Sequence, residues 1–506
     1  MLTAWISGLT GLLHAQELLL LFLGMILGLF FGAIPGLGGT TGLALLLPLT
    51  YGMHPITALA MAGGVMGAIP MGGSISAILL NTPGSAPNAA TCLDGYPLAQ
   101  QGKAGLAIGA AASANSIGGL IGTLTLLAVL PISTRLVLAF GPPEFLLLSV
   151  LALVMVACST RGKMLRGLVS AGFGMMLAMV GYDQMNGGTR YTFGIEYLWD
   201  GVRLVPALVG LFAVAEMINL WVEGGSVART SGSVRITRTT DGLMETFRHW
   251  PVVLRGSLIG TVVGAIPGVG GTVAAFLSYS STVQFSKDPD SFGHGNIAGV
   301  IAPEAAINAK DSSSLIPTLA FGIPGGAEMA VFLGILVLHG MQPGPLILIN
   351  RQTEIYGLIW ALTGSCVLAS MGGLLLVRPL SLLTLLPSSL LVPPVLCIAL
   401  VGSWAVDRSI ENVILTAAFG MLGYGMIRFG YPRLPVVISL VLGAGIERTW
   451  EQSVAMGDGS AAILLERPIC VLLLLCLTCA LLFSPTRALF RHLAVRRAAR
   501  PPRIVA

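Results

Sequence analysis

The sequence predicts an all-α polytopic membrane protein of about 10–12 transmembrane spans, folded as two inverted repeats with broken or re-entrant helices. Three observations predict it. First, 55% of the 506 residues are hydrophobic and only 10% are charged, whereas a soluble domain carries about 25% charged residues. That supply cannot cover a water-facing surface of this size. Second, apolar runs at 18–31, 120–131, 145–158, 355–377 and 469–483 lack the polar stripe of a surface helix. In lipid only helices and closed barrels satisfy their own backbone, and barrel strands alternate in polarity over about ten residues. These runs are continuous, so they are helices. Third, the chain repeats itself.

The repeat is short and specific. Gly32-Ala33-Ile34-Pro35-Gly36-Leu37-Gly38-Gly39-Thr40 returns 232 positions later as Gly264-Ala265-Ile266-Pro267-Gly268-Val269-Gly270-Gly271-Thr272, with one substitution in nine residues. Thr82-Pro83-Gly84-Ser85-Ala86 pairs more weakly with Ile323-Pro324-Gly325-Gly326-Ala327, and Phe173-Gly174-Met175 with Phe419-Gly420-Met421. Their common order divides the chain into a first transmembrane repeat (17–222), a polar linker (223–250), a second repeat (251–446), and a C-terminal part (447–506) of loop, extra span and tail.

Charge sets the expected topology. The linker carries Arg229, Arg235, Arg238 and Arg248. The tail carries Arg487, Arg491, Arg496, Arg497, Arg500 and Arg503. Positive residues flanking spans stay in the cytoplasm, so both segments read as internal. Residues 447–467, with Glu447, Glu451, Asp458 and Glu466 against Arg448 and Arg467, read as external. An odd number of spans then lies between linker and loop, which inverts the second half. The loop with Arg161, Lys163 and Arg166 is basic, whereas its counterpart holds Asp407, Arg408 and Glu411. Residues 1–16 contain no Lys or Arg and so lack the basic start of a cleavable signal peptide. The net charge of +5 gathers largely in the tail. It is a topology signal that can also touch anionic membrane lipid, and it does not suggest nucleic acid.

The interruptions are the candidate site. Proline removes a donor and glycine resists a fixed helix, so Gly-Ala-Ile-Pro-Gly should stop each helix and turn the chain. Irregular backbone at membrane depth is tolerated only when packed in protein or lining a wet cavity. One such break reads as a tight crossing on small residues; two at matching places mark a transporter site where the repeats meet. Gly36, Gly38, Gly39 and Thr40, with Gly268, Gly270, Gly271 and Thr272, would then offer free N–H groups at new helix starts, and Thr40, Thr41 and Thr272 can cap them. The second pair of breaks adds Asn81, Thr82, Ser85 and Asn88 from the first half and Gly325 and Gly326 from the second. Amides, hydroxyls and backbone N–H groups in a dry site suit a carboxylate.

Charges near the breaks need an account, because one at the bilayer centre costs about 2.5–3.5 kcal/mol. Glu328, Asp311 and Glu304 are the candidates for ion coupling, and Lys310 for attracting an anion. Asp311 could instead cap the next helix, and the segment 303–312 could be a solvated interfacial stretch. Asp94 and Lys103, flanking Gly95-Tyr96-Pro97, look like a surface turn.

Several chemistries have no motif. The glycines at 36–42 miss the dinucleotide fingerprint, and no nucleotide-binding P-loop, zinc-protease or nucleophile-elbow motif is present. The six histidines have no metal spacing, so no metal or catalytic residue is nominated. Cys476 and Cys479 lie in the last apolar run and read as small hydrophobes. An intramembrane enzyme and a passive anion channel are the alternatives to a carrier.

These residues also resemble a known family. The two G-A-I-P-G-x-G-G segments, Asn81-Thr82-Pro83-Gly84 with Asp94-Gly95-Tyr96-Pro97, Pro303-Glu304-Ala305-Ala306 with Asn308-Ala309-Lys310-Asp311, and Gly322-Ile323-Pro324-Gly325 are similar to the large membrane subunit of bacterial tripartite tricarboxylate transporters, in order over about 17–445. The resemblance implies uptake of small tri- or dicarboxylates driven by a Na⁺ or H⁺ gradient, without other cofactors. It also implies a small membrane subunit, a periplasmic solute-binding protein, and residence in the inner membrane. The chain departs from the family pattern at Ile307, where a second Asn is frequent, at Ser312-Ser313, where glycines are usual, and at Gly326, where Ser is frequent. The substrate therefore need not be citrate.

Overall fold

The computed structural model describes residues 2–138, 140–159, 164–183, 187–223, 239–344, 346–383 and 386–481. Arg161, Lys163, Arg229, Arg235, Arg238 and the six tail arginines lie outside them. The chain forms two compact units, one of residues 1–138 and 202–429, the other of 139–201 and 430–506.

Nearly everything described is helical. The first unit opens with α1 (Leu2–Leu12), α2 (Ala15–Ala33), α3 (Gly38–Leu49), α4 (Pro55–Leu80), α5 (Ala89–Gln100) and α6 (Ala104–Leu138). The second unit then receives α7 (Pro142–Ser159), α8 (Met164–Ala178) and a hairpin of two short strands, β1 (Gly181–Tyr182) and β2 (Thr189–Arg190). The chain re-enters the first unit with α9 (Leu204–Leu208), a π-helical stretch at Val209–Val214 and α10 (Ala215–Glu223). It continues there through α11 (Thr239–Arg248), α12 (Trp250–Ala265), α13 (Gly270–Gln284), α14 (Ala298–Ser313), α15 (Leu315–Phe321) and α16 (Ala327–Leu338). The unit closes with α17 (Ile347–Asn350), α18 (Gln352–Leu383), α19 (Ser388–Asp407) and α20 (Ile410–Phe429). The second unit ends with α21 (Leu434–Met456), a four-residue turn α22 (Ile463–Glu466) and the apolar helix Pro468–Leu481.

Among the described residues seven helices are long and apolar enough to cross a membrane, and six shorter apolar helices accompany them. The breaks explain several of the short ones. Before Pro35 and Pro267, Ile34 and Ile266 turn extended (φ −86°, ψ 112° and φ −91°, ψ 116°), as a residue preceding proline must. Gly36 and Gly38, and likewise Gly268 and Gly270, then take φ of +87°, +53°, +76° and +76°, which side-chain-bearing residues rarely adopt. The helices restart at Gly38 and Gly270 with Leu37 and Val269 at the cap positions and no side-chain capping bond. The threonines expected to cap stand inside the first turns instead, because the helices begin two residues before Thr40 and Thr272.

Glycine also sets the packing. Gly24, Gly28 and Gly32 of α2 lie against the carbonyls of Met61, Val65 and Ile69 of α4, and Gly256, Gly260 and Gly264 of α12 lie against those of Ala302, Ala306 and Lys310 of α14. A spacing of four keeps each trio on one helix face, and the missing Cβ lets backbones touch. Every contact in one half has its partner in the other, with the α2 and α12 positions 232 apart and the α4 and α14 positions 241 apart.

Part of the polar segment between the halves is built in. Helix α11 lays Gly242 against Leu106 O of α6, and Thr246 is buried against Ser113 through a 2.6 Å hydroxyl bond. Arg248 pairs with Glu245 at its exposed face.

In the second unit, α8 packs on α21 with Gly174 against Val436 O. Glu144, at the start of α7, is buried and accepts both from Arg467 (2.9 Å) and from the Gly141 amide (2.8 Å). Asp183, Glu447 and Glu451 bring their carboxylates within 4.8 Å of one another, and Arg190 bridges Asp183 to Glu447. The bond to Glu447 pushes the Arg190 guanidinium further above its ordinary pKa.

Candidate functional site

The interruptions of the two halves meet inside the first unit. A Cβ on Gly38 would lie 3.7 Å from Gly84 O, and the space a Cβ on Gly39 would need is filled by the Glu328 carboxylate. In the other half, a Cβ on Gly271 would lie 2.9 Å from Pro87 Cγ and 3.6 Å from Lys310 Cδ. One on Gly326 would lie 3.8 Å from both Gly270 Cα and Lys310 Nζ. Pro87 and Glu328 are 241 positions apart and Gly39 and Gly271 are 232 apart, so exchanging the halves carries the Gly39–Glu328 contact onto Gly271–Pro87. The same exchange carries Gly84 against Gly32 O onto Gly325 against Gly264 O. It also carries Asn81, the left-handed end of α4 (φ 55°), onto Gly322, the left-handed end of α15 (φ 70°).

The exchange relates backbones but not chemistry. Glu304, Lys310, Asp311 and Glu328 of the second half stand where the first half has Gly63, Ile69, Pro70 and Pro87. Ser74, Asn88 and Thr91 of the first half stand where the second has Leu315, Met329 and Phe332. One half therefore supplies charge and the other neutral polar groups.

The charges are inside the protein. Lys310 and Asp311 are 3% and 6% exposed, and Lys310 Nζ lies 2.9 Å from Asp311 Oδ1. Both charges act on Glu328, at the start of α16. Lys310 thus lies between the two second-half breaks, paired with Asp311. This corrects the interfacial reading of 303–312: Ala298–Ser313 is one helix in which every residue is buried. Asp311 does not cap the next helix either; it lies within α14 and is engaged by Lys310. Ser312 and Ser313 bond to neighbouring backbone, at 3.4 Å to Gly119 O and 3.1 Å to Lys310 O. Ile307 packs with Ala90 and Ala275, so the family's frequent Asn is replaced here by an apolar contact.

Glu304, six residues before Lys310 on α14, is fully buried. It accepts from Ser74 Oγ of α4 (2.6 Å), Thr91 Oγ1 of α5 (2.5 Å), and Asn115 Nδ2 of α6 (2.8 Å), with Asn88 Nδ2 at 3.5 Å. Asn88 also donates to Pro70 O and Ser74 Oγ and accepts from Ser85 Oγ. None of Ser74, Thr91 and Asn115 is nominated as a site residue from the sequence. Their signal is a polar side chain inside an apolar span, which is weak for a hydroxyl and stronger for Asn115.

The other candidates are placed as follows. Gly36 is exposed, Gly268 buried, and Thr40 and Thr272 half-buried. Asn81 is exposed, while Thr82 Oγ1 is buried without a hydrogen-bond partner. Asp94 is corrected outright. It is fully buried on α5 and accepts from Tyr279 Oη and from the amides of Gly293, Gly295 and Asn296, all at 2.8–2.9 Å. It is an anchor for the 285–297 loop, not a surface turn; Lys103 is exposed.

Broken helices, glycine-set crossings and buried charges at the junction of two repeated halves define a multi-pass membrane protein of the transporter class. The chain belongs to the tripartite tricarboxylate transporter TctA family, whose model matches residues 18–438. It is 34% identical over 455 residues to an uncharacterised 52.8 kDa protein in the TAR-I ttuC' 3' region of Agrobacterium vitis, covering 90% of each chain. A second Agrobacterium vitis protein, from the TAR-II ttuC' 3' region, is 33% identical over 225 residues, which span 44% of this chain and 93% of that one. No solved structure matches.

Proposed function

We propose that this protein is the large permease subunit of a tripartite, binding-protein-dependent secondary transporter. It takes up small carboxylates, of the tricarboxylate or dicarboxylate type, across the bacterial inner membrane on a Na⁺ or H⁺ gradient. A small membrane subunit and a periplasmic solute-binding protein complete the system, and the two repeats run in opposite directions through the bilayer. The family supports the transport role, and the observation that carries the anion reading is Lys310, a buried ammonium set between two helix breaks.

The exchange of halves suggests where the anion sits. Glu328 places a carboxylate beside Gly39, at the start of α3, where unpaired N–H groups and about half a positive charge favour it. The equivalent position at the start of α13 is held by Pro87, which brings no charge. The start of α13 therefore faces Lys310 without an internal carboxylate of its own, and a substrate carboxylate there meets both the Gly270–Thr272 amides and the Lys310 ammonium. Gly326, without a side chain, lies beside Lys310: a Cβ there would stand 3.8 Å from its Nζ.

Uptake by the reconstituted complex, across a panel of mono-, di- and tricarboxylates with Na⁺ and pH gradients varied separately, tests this reading. Concentrative uptake of one carboxylate class under one gradient is expected. Downhill flux alone would identify a channel, and turnover without flux an enzyme.

A further inference from the structure

We propose that Glu304 and the oxygens around it form the site of the coupling cation, an alkali cation of the Na⁺ class, distinct from the anion position at Lys310. This rests on the carrier reading above. Among the described residues Glu304 has no ion-pair partner, although it is fully buried in a helix surrounded by protein. A lone negative charge so placed costs several kcal/mol, and neutral hydrogen bonds relieve only part of that.

The neighbours are rich in oxygen and short of protons. Ser74 Oγ lies within bonding distance of both Glu304 Oε2 and Pro70 O, yet a hydroxyl has one proton and serves one acceptor at a time. Thr91 Oγ1 commits its proton to Glu304 and keeps its lone pairs. Asn115 turns its amide nitrogen to Glu304 and leaves Oδ1 fully buried with no partner. Because Oδ1 is bonded to the same carbon as that nitrogen, it lies within about 5 Å of the carboxylate. Two carboxylate oxygens, two hydroxyls, an orphaned amide oxygen and the Pro70 carbonyl make a set of hard oxygen donors, which suit an alkali or alkaline-earth cation over a softer metal. A single positive charge neutralises Glu304; a divalent ion would leave a buried excess.

The place of this cluster fits coupling. Glu304 and Lys310 are six residues apart on one helix, about 9 Å along its axis. The cation shell draws on α4, α5 and α6 of the first half, and Asn88 stands one residue from Pro87, which touches Gly271 at the anion position. Filling the shell would fix the turn 85–88 against α14 and so complete the second site.

The test measures binding apart from uptake. Purified protein is titrated with NaCl at constant ionic strength against choline chloride, reading thermal unfolding and ²²Na⁺ retention. Wild type is expected to gain melting temperature and retain label. Glu304→Gln, which keeps shape and most hydrogen bonds, and Asn115→Leu, which removes the orphaned oxygen, should each weaken Na⁺ binding at least tenfold while still folding. Should Glu304→Gln fail to fold, Asn115→Leu alone carries the comparison. Unchanged Na⁺ binding in the variants, or wild-type melting that follows pH and ignores Na⁺, overturns the proposal. Retained Na⁺ binding in a protein that moves no carboxylate would instead strike the carrier reading and leave the cation site standing.

Discussion

Replacing Lys310 by methionine keeps most of the length of the side chain and removes its charge. The ammonium is 2.9 Å from Asp311 Oδ1, and both side chains are under one-tenth exposed. Breaking a buried pair by removing one member typically costs about 3–5 kcal/mol, chiefly because the remaining charge is stranded. Lys310→Met should therefore lower unfolding stability by about that amount. Lys310→Met with Asp311→Asn should recover most of it, because no stranded partner remains beside the methionine. Transport should not recover. A charge-assisted hydrogen bond to a carboxylate is worth about 1.5–3 kcal/mol, so both variants should bind substrate about 10- to 150-fold more weakly. Thermal unfolding of the purified subunit and uptake by the reconstituted complex separate the two effects. A double variant that transports like wild type would show that Lys310 serves only to neutralise its neighbours, and the assignment of the anion to α13 would fall.

Three further outcomes follow from the packing. Asn81→Gly should keep uptake and Asn81→Val lose stability by about 1–2 kcal/mol, because the residue is exposed, left-handed and replaced by Gly322 in the other half; loss of uptake in a well-folded Asn81→Gly protein would show that the amide itself binds substrate. Gly325→Ala drives a Cβ to within 2.6 Å of Ser314 Cβ and should cost about 1–3 kcal/mol, restored by Ser314→Gly, whereas Gly84→Ala presses on the Gly32 carbonyl and has no such rescue; equal melting of the Gly325 variant with and without Ser314→Gly would refute the contact. Asp94→Ala removes four hydrogen bonds to a buried carboxylate and should destabilise by at least about 3 kcal/mol; protease resistance of the 285–297 loop unchanged from wild type would argue against the anchor.

The broken helices were legible because proline and glycine act locally: the φ values at Gly36, Gly38, Gly268 and Gly270 follow from the chain itself. What lies beside a residue is not local. Pro303–Ser312 reads as interfacial because three charges in ten residues look expensive in lipid, and its burial depends on neutral donors on α4, α5 and α6, as much as 230 positions away. Asp94 reads as a turn residue because Gly95 and Pro97 follow it, yet α5 continues through both, and three backbone amides from a distant loop close on its carboxylate. The glycine trios on α2 and α12 stand four residues apart in the sequence, but their partners on α4 and α14 are carbonyl oxygens, which no side-chain pattern announces.

Repetition with unequal chemistry is what keeps the two proposed binding positions different from one another. If both halves had carried Lys310, Asp311 and Glu328, four carboxylates and two ammonium groups would crowd one junction. With Pro87 and Ile69 in the first half, that half brings neither a second ammonium nor a further carboxylate to these positions. With Ser74, Asn88 and Thr91 absent from the second, no such set of neutral polar donors is repeated there. Restoring symmetry should therefore be damaging in a specific way. Pro87→Glu would place a carboxylate beside Gly271 and Lys310, in the position proposed for the substrate, and act as a tethered competitor. It should abolish substrate binding while leaving Na⁺-dependent stabilisation at Glu304 in place. Loss of both together would mean that the two positions are one site.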